Sequence, residues 1–147
     1  MIQLAPGLVI VAALFAGHPI HVECQATLMD GDSGYADYAT HTIVVQNPVC
    51  RGVNGFARNP TLSVDTEVWS GSDASLSFSM VILLHETQHF AHPDYSEAQV
   101  NCAALGLLPR FARILGASVK TSRLARRYAR MWIHELEPAE YQSACTR

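Results

Sequence analysis

Positive charge is scarce in the first two thirds of this chain. Only Arg51 and Arg58 are basic between Met1 and Leu105, against ten acidic residues, whereas residues 106–147 carry eight Lys or Arg against three acids. The later basic residues follow one helical pattern and lack the interleaved aromatic side chains that stack on bases. This distribution argues against a nucleic-acid partner and predicts a solvated basic face near the C terminus.

The N-terminal segment has no charge at all. Residues 1–22 contain no charged side chain, and Leu8–Ala16 is continuously apolar. The positively charged start of a secretory signal is missing, and flanking proline and glycine residues leave a clean run shorter than the roughly 20 residues that cross a bilayer. Residues 1–17 are interpreted either as a signal or membrane anchor or as a buried N-terminal helix. Membrane contact is expected only if this segment is an anchor.

The cysteines form no CxxC or CxxxC pair, which argues against zinc fingers and redox motifs. Two disulfides or buried free thiols remain as alternatives. The favoured pairs are Cys24 with Cys50, which flank predicted neighbouring strands, and Cys102 with Cys145, which would tie the last turn to a helix. Oxidised cysteines favour a secreted or membrane-anchored extracytoplasmic protein, and free thiols favour the cytoplasmic alternative.

Length and composition predict one globular domain over residues 1–147. Hydrophobic residues make up 49% of the chain and charged residues 16%, which is sufficient for a sizeable core. Pro19–Cys24 alternates between apolar and polar residues, and Tyr38–Val45 is strand-like and ends in a β-branched run. A turn cluster at Asp30–Gly34 separates these segments, so an antiparallel hairpin or small sheet is predicted.

The next segment is predicted to be irregular. Arg51–Ser72 is rich in Gly, Asn, Pro, Thr and Ser, which indicates a loop with one short strand near Leu62–Val68. Asp73 or Ser75 is expected to cap the helix that follows.

The strongest motif is HExxH, formed by His85, Glu86 and His89. If the segment is helical, the four-residue spacing places both histidines on one face, where they can hold one Zn²⁺. Glu86 can then act as general base on a zinc-activated water. Because the residues from Met80 to Leu84 are all apolar, this helix should be buried, and a buried His-Glu-His group is costly without a partner such as a metal ion. The alternative is a buried helix whose polar groups are satisfied by hydrogen bonds and an arginine.

A third ligand is expected from the next helix, since His92-Pro93 ends the first one near Ala91. Asp94 or Ser96 should cap that helix and place Glu97 in its first turn, pointing at the metal. His92 and Asp94 are alternative ligands, and Glu97 could instead only complement the helix dipole. Asn101, one turn beyond Glu97, is expected to hydrogen-bond it.

These two helices share one pattern with a known family: His85-Glu86-x-x-His89, then Glu97-x-x-x-Asn101-x-x-Ala104-x-x-Leu107-Leu108-Pro109. The pattern resembles the zincin metallopeptidases of gluzincin type, especially the small ImmA/IrrE-like and minigluzincin proteins. The resemblance implies an α+β fold with a zincin-like core, in which a small antiparallel β-sheet packs on the HExxH helix, a glutamate helix and C-terminal helices. It also implies His85, His89 and Glu97 as zinc ligands and Glu86 as general base and acid in peptide hydrolysis.

Two further helices are predicted after this pattern. Pro109 should begin one that Gly116 ends, and the last should begin near Thr121 or Ser122. The last helix should keep its arginines on the solvent side: Arg123, Arg126, Arg127 and Arg130. The alternative is that this cationic stripe contacts anionic lipid or an acidic partner. A donor for the oxyanion of peptide hydrolysis is also expected, and the sequence does not choose among Tyr95, Tyr128 and His134.

The sequence thus predicts a zinc-dependent metallopeptidase that acts on a peptide or protein substrate. The alternative is a non-catalytic, disulfide-stabilised binding domain, in which zinc is structural or vestigial and the Arg51–Ser72 loop makes the contacts.

Overall fold

The computed structural model describes residues 1–28, 31–62, 72–136 and 145. Five helices and three strands are present in these ranges: α1 (Pro6–Ala16), β1 (His21–Gln25), β2 (Gly34–Asp37), β3 (Thr42–Gln46), α2 (Asn47–Arg58), α3 (Ser72–Ala91), α4 (Glu97–Ile114) and α5 (Val119–Leu136). The predicted α+β class is confirmed.

Helix α3 lies at the centre of the described structure. It contacts all four other helices as well as β2 and β3. Its segment from Met80 to Leu84 is at most 8% exposed at any residue, because a helix that is apolar on every face must be surrounded by other elements. The prediction that this segment is buried is confirmed. The helix begins at Ser72, before both predicted capping residues, and ends at Ala91 as predicted.

The sheet is mixed, and the prediction of a purely antiparallel sheet is wrong. The strand order is β1-β3-β2, with β1 parallel to β3 and β2 antiparallel to β3. Strand alternation indicates which segments are extended, but neighbours and directions depend on how the sheet packs. Strand β2 therefore lies at an edge, against α3.

The predicted strand Tyr38–Val45 begins four residues too early. Residues 38–41 form the turn between β2 and β3, where the Asp37 carboxylate accepts the backbone N–H of Ala39 at 3.0 Å. An aspartate that binds backbone groups two residues on favours a turn over an extended strand. Only the β-branched part of the predicted segment is a strand.

The predicted loop Arg51–Ser72 is helical at its start, which corrects the prediction. Helix α2 runs to Arg58 and buries Val49, Val53 and Phe56 at helical spacing. Gly52 lies where α2 packs closely on α3, and a Cβ atom at this position would collide with the Ser79 side chain of α3. The glycine therefore permits the close packing of the two helices. Of the strand expected near Leu62–Val68, all but Leu62 lies outside the described residues.

Helix α4 begins as predicted but does not end where predicted. Ser96 and Gln99 form a capping box, so the start at Glu97 is set by local hydrogen bonds. The helix continues through Pro109 to Ile114, and the prediction of a new helix at Pro109 is wrong. A proline removes one N–H donor, and here burial of Leu108 and Phe111 on either side of it keeps the helix continuous.

Helix α5 confirms the predicted basic face but starts at Val119, slightly earlier than predicted. Its four arginines are exposed, and Ser118 accepts the backbone N–H of Thr121 at 3.0 Å as a cap. Both predicted disulfides are confirmed, since Cys24 is bonded to Cys50 and Cys102 to Cys145.

Helix α1 shows that residues 1–17 include a packed helix. Leu8, Ala12 and Phe15 are buried, and α1 contacts α3. Within the described ranges, no helix combines the length and apolarity that a membrane span requires.

Candidate metal centre

Three side chains with metal-binding atoms converge where α3 ends and α4 begins. His85 and His89 lie one turn apart on α3, and Glu97 is the first residue of α4. The Nε2 atoms of the histidines are 3.0 Å apart, and Glu97 Oε2 lies 3.0 Å from His85 Nε2 and 3.5 Å from His89 Nε2. The structure therefore brings together the three residues that the sequence predicted as ligands.

The spacing of these atoms fits one small metal ion. Tetrahedral coordination with bonds of about 2.0–2.1 Å separates neighbouring donor atoms by about 3.3 Å, and the three observed distances, 3.0, 3.0 and 3.5 Å, lie around that value. Among the described residues, these three form the one such cluster of His, Cys, Asp and Glu. Three protein ligands leave one tetrahedral position for a water molecule or a substrate.

Asn101 orients the first of these histidines. Its Oδ1 lies 2.7 Å from His85 Nδ1, so Nδ1–H donates to the amide and the lone pair of Nε2 is available to a metal. The sequence predicted that Asn101 would hydrogen-bond Glu97. Asn101 is buried at the interface of α3 and α4, while Glu97 projects from the helix end, so their spacing along α4 alone did not identify the partner of the amide.

The protonation of the cluster follows from its mutual contacts. Burial lowers the pKa of His85, but hydrogen bonds with Glu97 and Asn101 and the nearby carboxylate charges outweigh it, so the pKa is raised. Burial and the charge of His85 lower the pKa of His89. The hydrogen bond from His85 lowers the pKa of Glu97 against the opposing effect of burial. The opposite shifts of His85 and Glu97 have one cause, since an imidazolium and a carboxylate at hydrogen-bond distance stabilise each other.

Glu86 lies beside the cluster but is buried. It is 5% exposed, and burial raises its pKa to about 7. Strand β2 approaches Glu86 closely at Gly34. A Cβ atom on this glycine would lie 3.1 Å from Glu86 Oε1 and 3.0 Å from Val45 Cγ1. A buried carboxyl group with a pKa near neutrality can both take up and release a proton at physiological pH.

The cluster opens into a cleft of about 560 Å³. Its lining comes from β2, α3, the start of α4 and Ile133 of α5, and it includes the metal-binding cluster, Glu86, Tyr35 and Tyr38. The Tyr38 hydroxyl donates to the backbone carbonyl of His89 at 3.2 Å. Burial, with the charges of Glu86 and Glu97, raises the pKa of Tyr38, so its phenol stays protonated and can donate a hydrogen bond.

Of the other predicted site residues, one candidate oxyanion donor lines the cleft, and the alternative metal ligands lie outside the cluster. Tyr95 lines the cleft and stacks on His92, whereas Tyr128 and His134 are not among the lining residues. His92 and Asp94, the alternative ligands, lie in the turn between α3 and α4 and outside the cluster.

Two residues beside the site were missed by sequence reasoning. The sequence predicts Tyr38 within a strand, and no local pattern distinguishes it. The sequence predicts Gly34 in a turn, although a glycine next to an alternating segment often marks a close backbone approach, and that signal points to it.

None of the protein-family models, curated proteins or solved structures compared with the chain matches it. The assignment of a function therefore rests on the geometry of this cleft.

Proposed function

We propose that this protein is a zinc-dependent metallopeptidase. The single observation that carries the proposal is the triangle of His85, His89 and Glu97 donor atoms, all within 4.8 Å of one another, with the buried Glu86 carboxyl beside it in the same cleft. Two histidines, one carboxylate and an open position are the ligand set of catalytic rather than structural zinc. A bound zinc ion would supply Lewis-acid polarisation of a carbonyl group and lower the pKa of a water molecule.

The residues of this chain supply the proton transfers. Glu86 takes a proton from the attacking water and later gives it to the leaving amine, and a pKa of about 7 suits both steps. Its burial excludes bulk water, which strengthens its electrostatic interactions. Asn101 keeps the His85 ring in one orientation through the 2.7 Å contact with Nδ1.

Strand β2 offers a means to align a peptide. It is an edge strand in the described sheet, paired with β3 on one side, and it lines the cleft. An extended peptide that adds to this edge would receive backbone hydrogen bonds and lie across the metal-binding cluster. A peptide or protein is therefore the substrate class that we propose, and the two disulfides favour an oxidising compartment.

Metal content and hydrolysis test the proposal separately. Purified protein should contain about one zinc per chain, and His85→Ala and Glu97→Ala should lose it, while His134→Ala, an exposed histidine outside the cleft, should keep it. Glu86→Gln should retain zinc and lose the cleavage of an unstructured protein such as casein. Glu23→Gln, at an exposed glutamate on β1, should cleave normally.

Two results would contradict the proposal. Unchanged zinc content in Glu97→Ala would remove this residue from the ligand set. Stoichiometric zinc without any cleavage by the native protein would instead favour the non-catalytic binding domain.

A further inference from the structure

Helix α1 has an exposed apolar stripe on its outer face. Ile10 is 72% and Leu14 63% exposed, and with the exposed Gly7 they follow one another at spacings of three and four residues along one line of the helix. Single exposed apolar side chains are ordinary. Ile10 and Leu14 are neighbours on a helix without any charged residue, so together they form a small apolar surface that another apolar phase can cover.

The orientation of this stripe is set by the fold. The Asn54 side chain of α2 accepts the N–H of Ala5 at 2.9 Å and donates to the carbonyl of Gln3 at 2.8 Å. At the other end of α1, Gln88 Nε2 of α3 donates to the carbonyl of Phe15 at 3.2 Å. Both ends of the helix are thus attached to the protein, and the same face always points outward.

An apolar groove beside α1 has one cationic side chain, Arg58, in its lining. The groove, of about 510 Å³, is lined by Val11 of α1, Leu115 and Arg58, and no acidic residue is among its lining. Further along the same flank of α1, the Arg110 guanidinium lies 5.8 Å from the centre of the Phe15 ring. Arg58 and Arg110 are both exposed, and both lie beside α1, Arg58 in the groove and Arg110 over the Phe15 ring.

We propose that this face of the protein docks on a lipid bilayer that contains anionic lipids. Helix α1 would lie parallel to the membrane surface, with Ile10 and Leu14 at the boundary of the acyl chains. Arg58 and Arg110 would meet the anionic headgroups, since long basic side chains beside an apolar surface reach outward to the interface.

A second copy of the chain fits this face less well. Packing two α1 stripes together would bring the arginines of both copies to one interface, where like charges repel. An 11-residue helix is also only about 16 Å long and about 10 Å wide, so its outer face covers about 160 Å², far less than the roughly 800 Å² per partner of a standard interface.

Co-sedimentation of the full, disulfide-bonded chain with vesicles tests the proposal. The protein should bind vesicles of phosphatidylcholine with phosphatidylglycerol, bind pure phosphatidylcholine weakly, and dissociate at high salt. Ile10→Ser and Leu14→Ser should each lower the partition coefficient about tenfold or more. Arg58→Gln and Arg110→Gln should each lower it roughly fivefold.

Matched controls separate docking from general changes in apolarity and charge. Val119→Ser and Arg126→Gln replace exposed residues of α5 and should bind vesicles as the native protein does. Unchanged thermal unfolding of the α1 variants will show that their fold is intact.

Three outcomes would overturn the proposal. The first is no binding to either vesicle, and the second is binding that the α1 and arginine variants leave unchanged. The third is a concentration-dependent dimer in analytical ultracentrifugation that Leu14→Ser abolishes, which would assign the face to a second copy. None of these readouts depends on zinc or on hydrolysis.

Discussion

Replacing Glu86 by glutamine should stabilise the metal-free protein at neutral pH. Burial raises the pKa of this carboxyl from 4.5 to about 7, so between these values the folded protein keeps a proton that the unfolded chain has released. Raising the pH through this window therefore lowers the free energy of unfolding. The difference of about 2.5 between the pKa values, at about 1.4 kcal/mol for each pKa unit, corresponds to about 3 kcal/mol. Glutamine has a similar shape and does not titrate, so the variant should not show this loss.

Urea unfolding in the presence of a chelator measures the effect. The free energy of unfolding of Glu86→Gln minus that of the native protein should be near zero around pH 4.5 and rise to about 3 kcal/mol above about pH 7. Glu23→Gln, at an exposed position on β1, should give a difference that hardly changes with pH. A constant difference for Glu86→Gln, or a native protein that is the more stable at neutral pH, would refute the reasoning that this carboxyl is buried and protonated.

Three further perturbations test the surroundings of the site. Asn101→Ala should weaken zinc affinity about 10- to 100-fold in competition with a chromophoric chelator, because His85 Nδ1 loses its acceptor; unchanged affinity would mean that the amide does not orient the ring. Gly34→Ala should lower the free energy of unfolding in urea by about 1–3 kcal/mol, since the new Cβ meets side chains and a carbonyl within 3.1 Å. Gly106→Ala, with open space around it in α4, should instead raise the free energy of unfolding by about 0.5–1 kcal/mol. Equal effects of the two substitutions would contradict the close approach of β2. Cys145→Ser opens a disulfide that spans 43 residues and should cost about 4 kcal/mol in chemical unfolding, whereas a cost under about 1 kcal/mol would show that the bond adds little to stability.

The features that local chemistry determines agree between sequence and structure. Ser96 and Gln99 are enough to place the start of α4, because a capping box satisfies backbone donors within four residues. His85 and His89 share a face of α3 because a helix turn has 3.6 residues.

Apart from the turn after Asp37, the features that the sequence did not predict depend on distant contacts. Helix α2 looked like a loop because its glycines lower helix propensity, yet Gly52 allows the helix to pack closely against Ser79. The parallel pairing of β1 with β3 requires a connection that passes through β2, which alternation within one strand cannot reveal. Asn101 faces His85 rather than its neighbour on α4 because the packing of α3 against α4 selects the partner.

The sequence by itself determined the helix that carries the two histidines, its burial, its end at Ala91 and the start of α4 at Glu97, since these depend on spacing and on groups within a few residues of one another. Only the tertiary structure decided that Glu97 lies 3.0 Å from His85, that β2 forms a wall of the cleft and that α1 presents Ile10 and Leu14 outward. Those arrangements depend on how separate elements pack. Residues that are distant in sequence become neighbours only when the helices and strands that carry them pack together in the core.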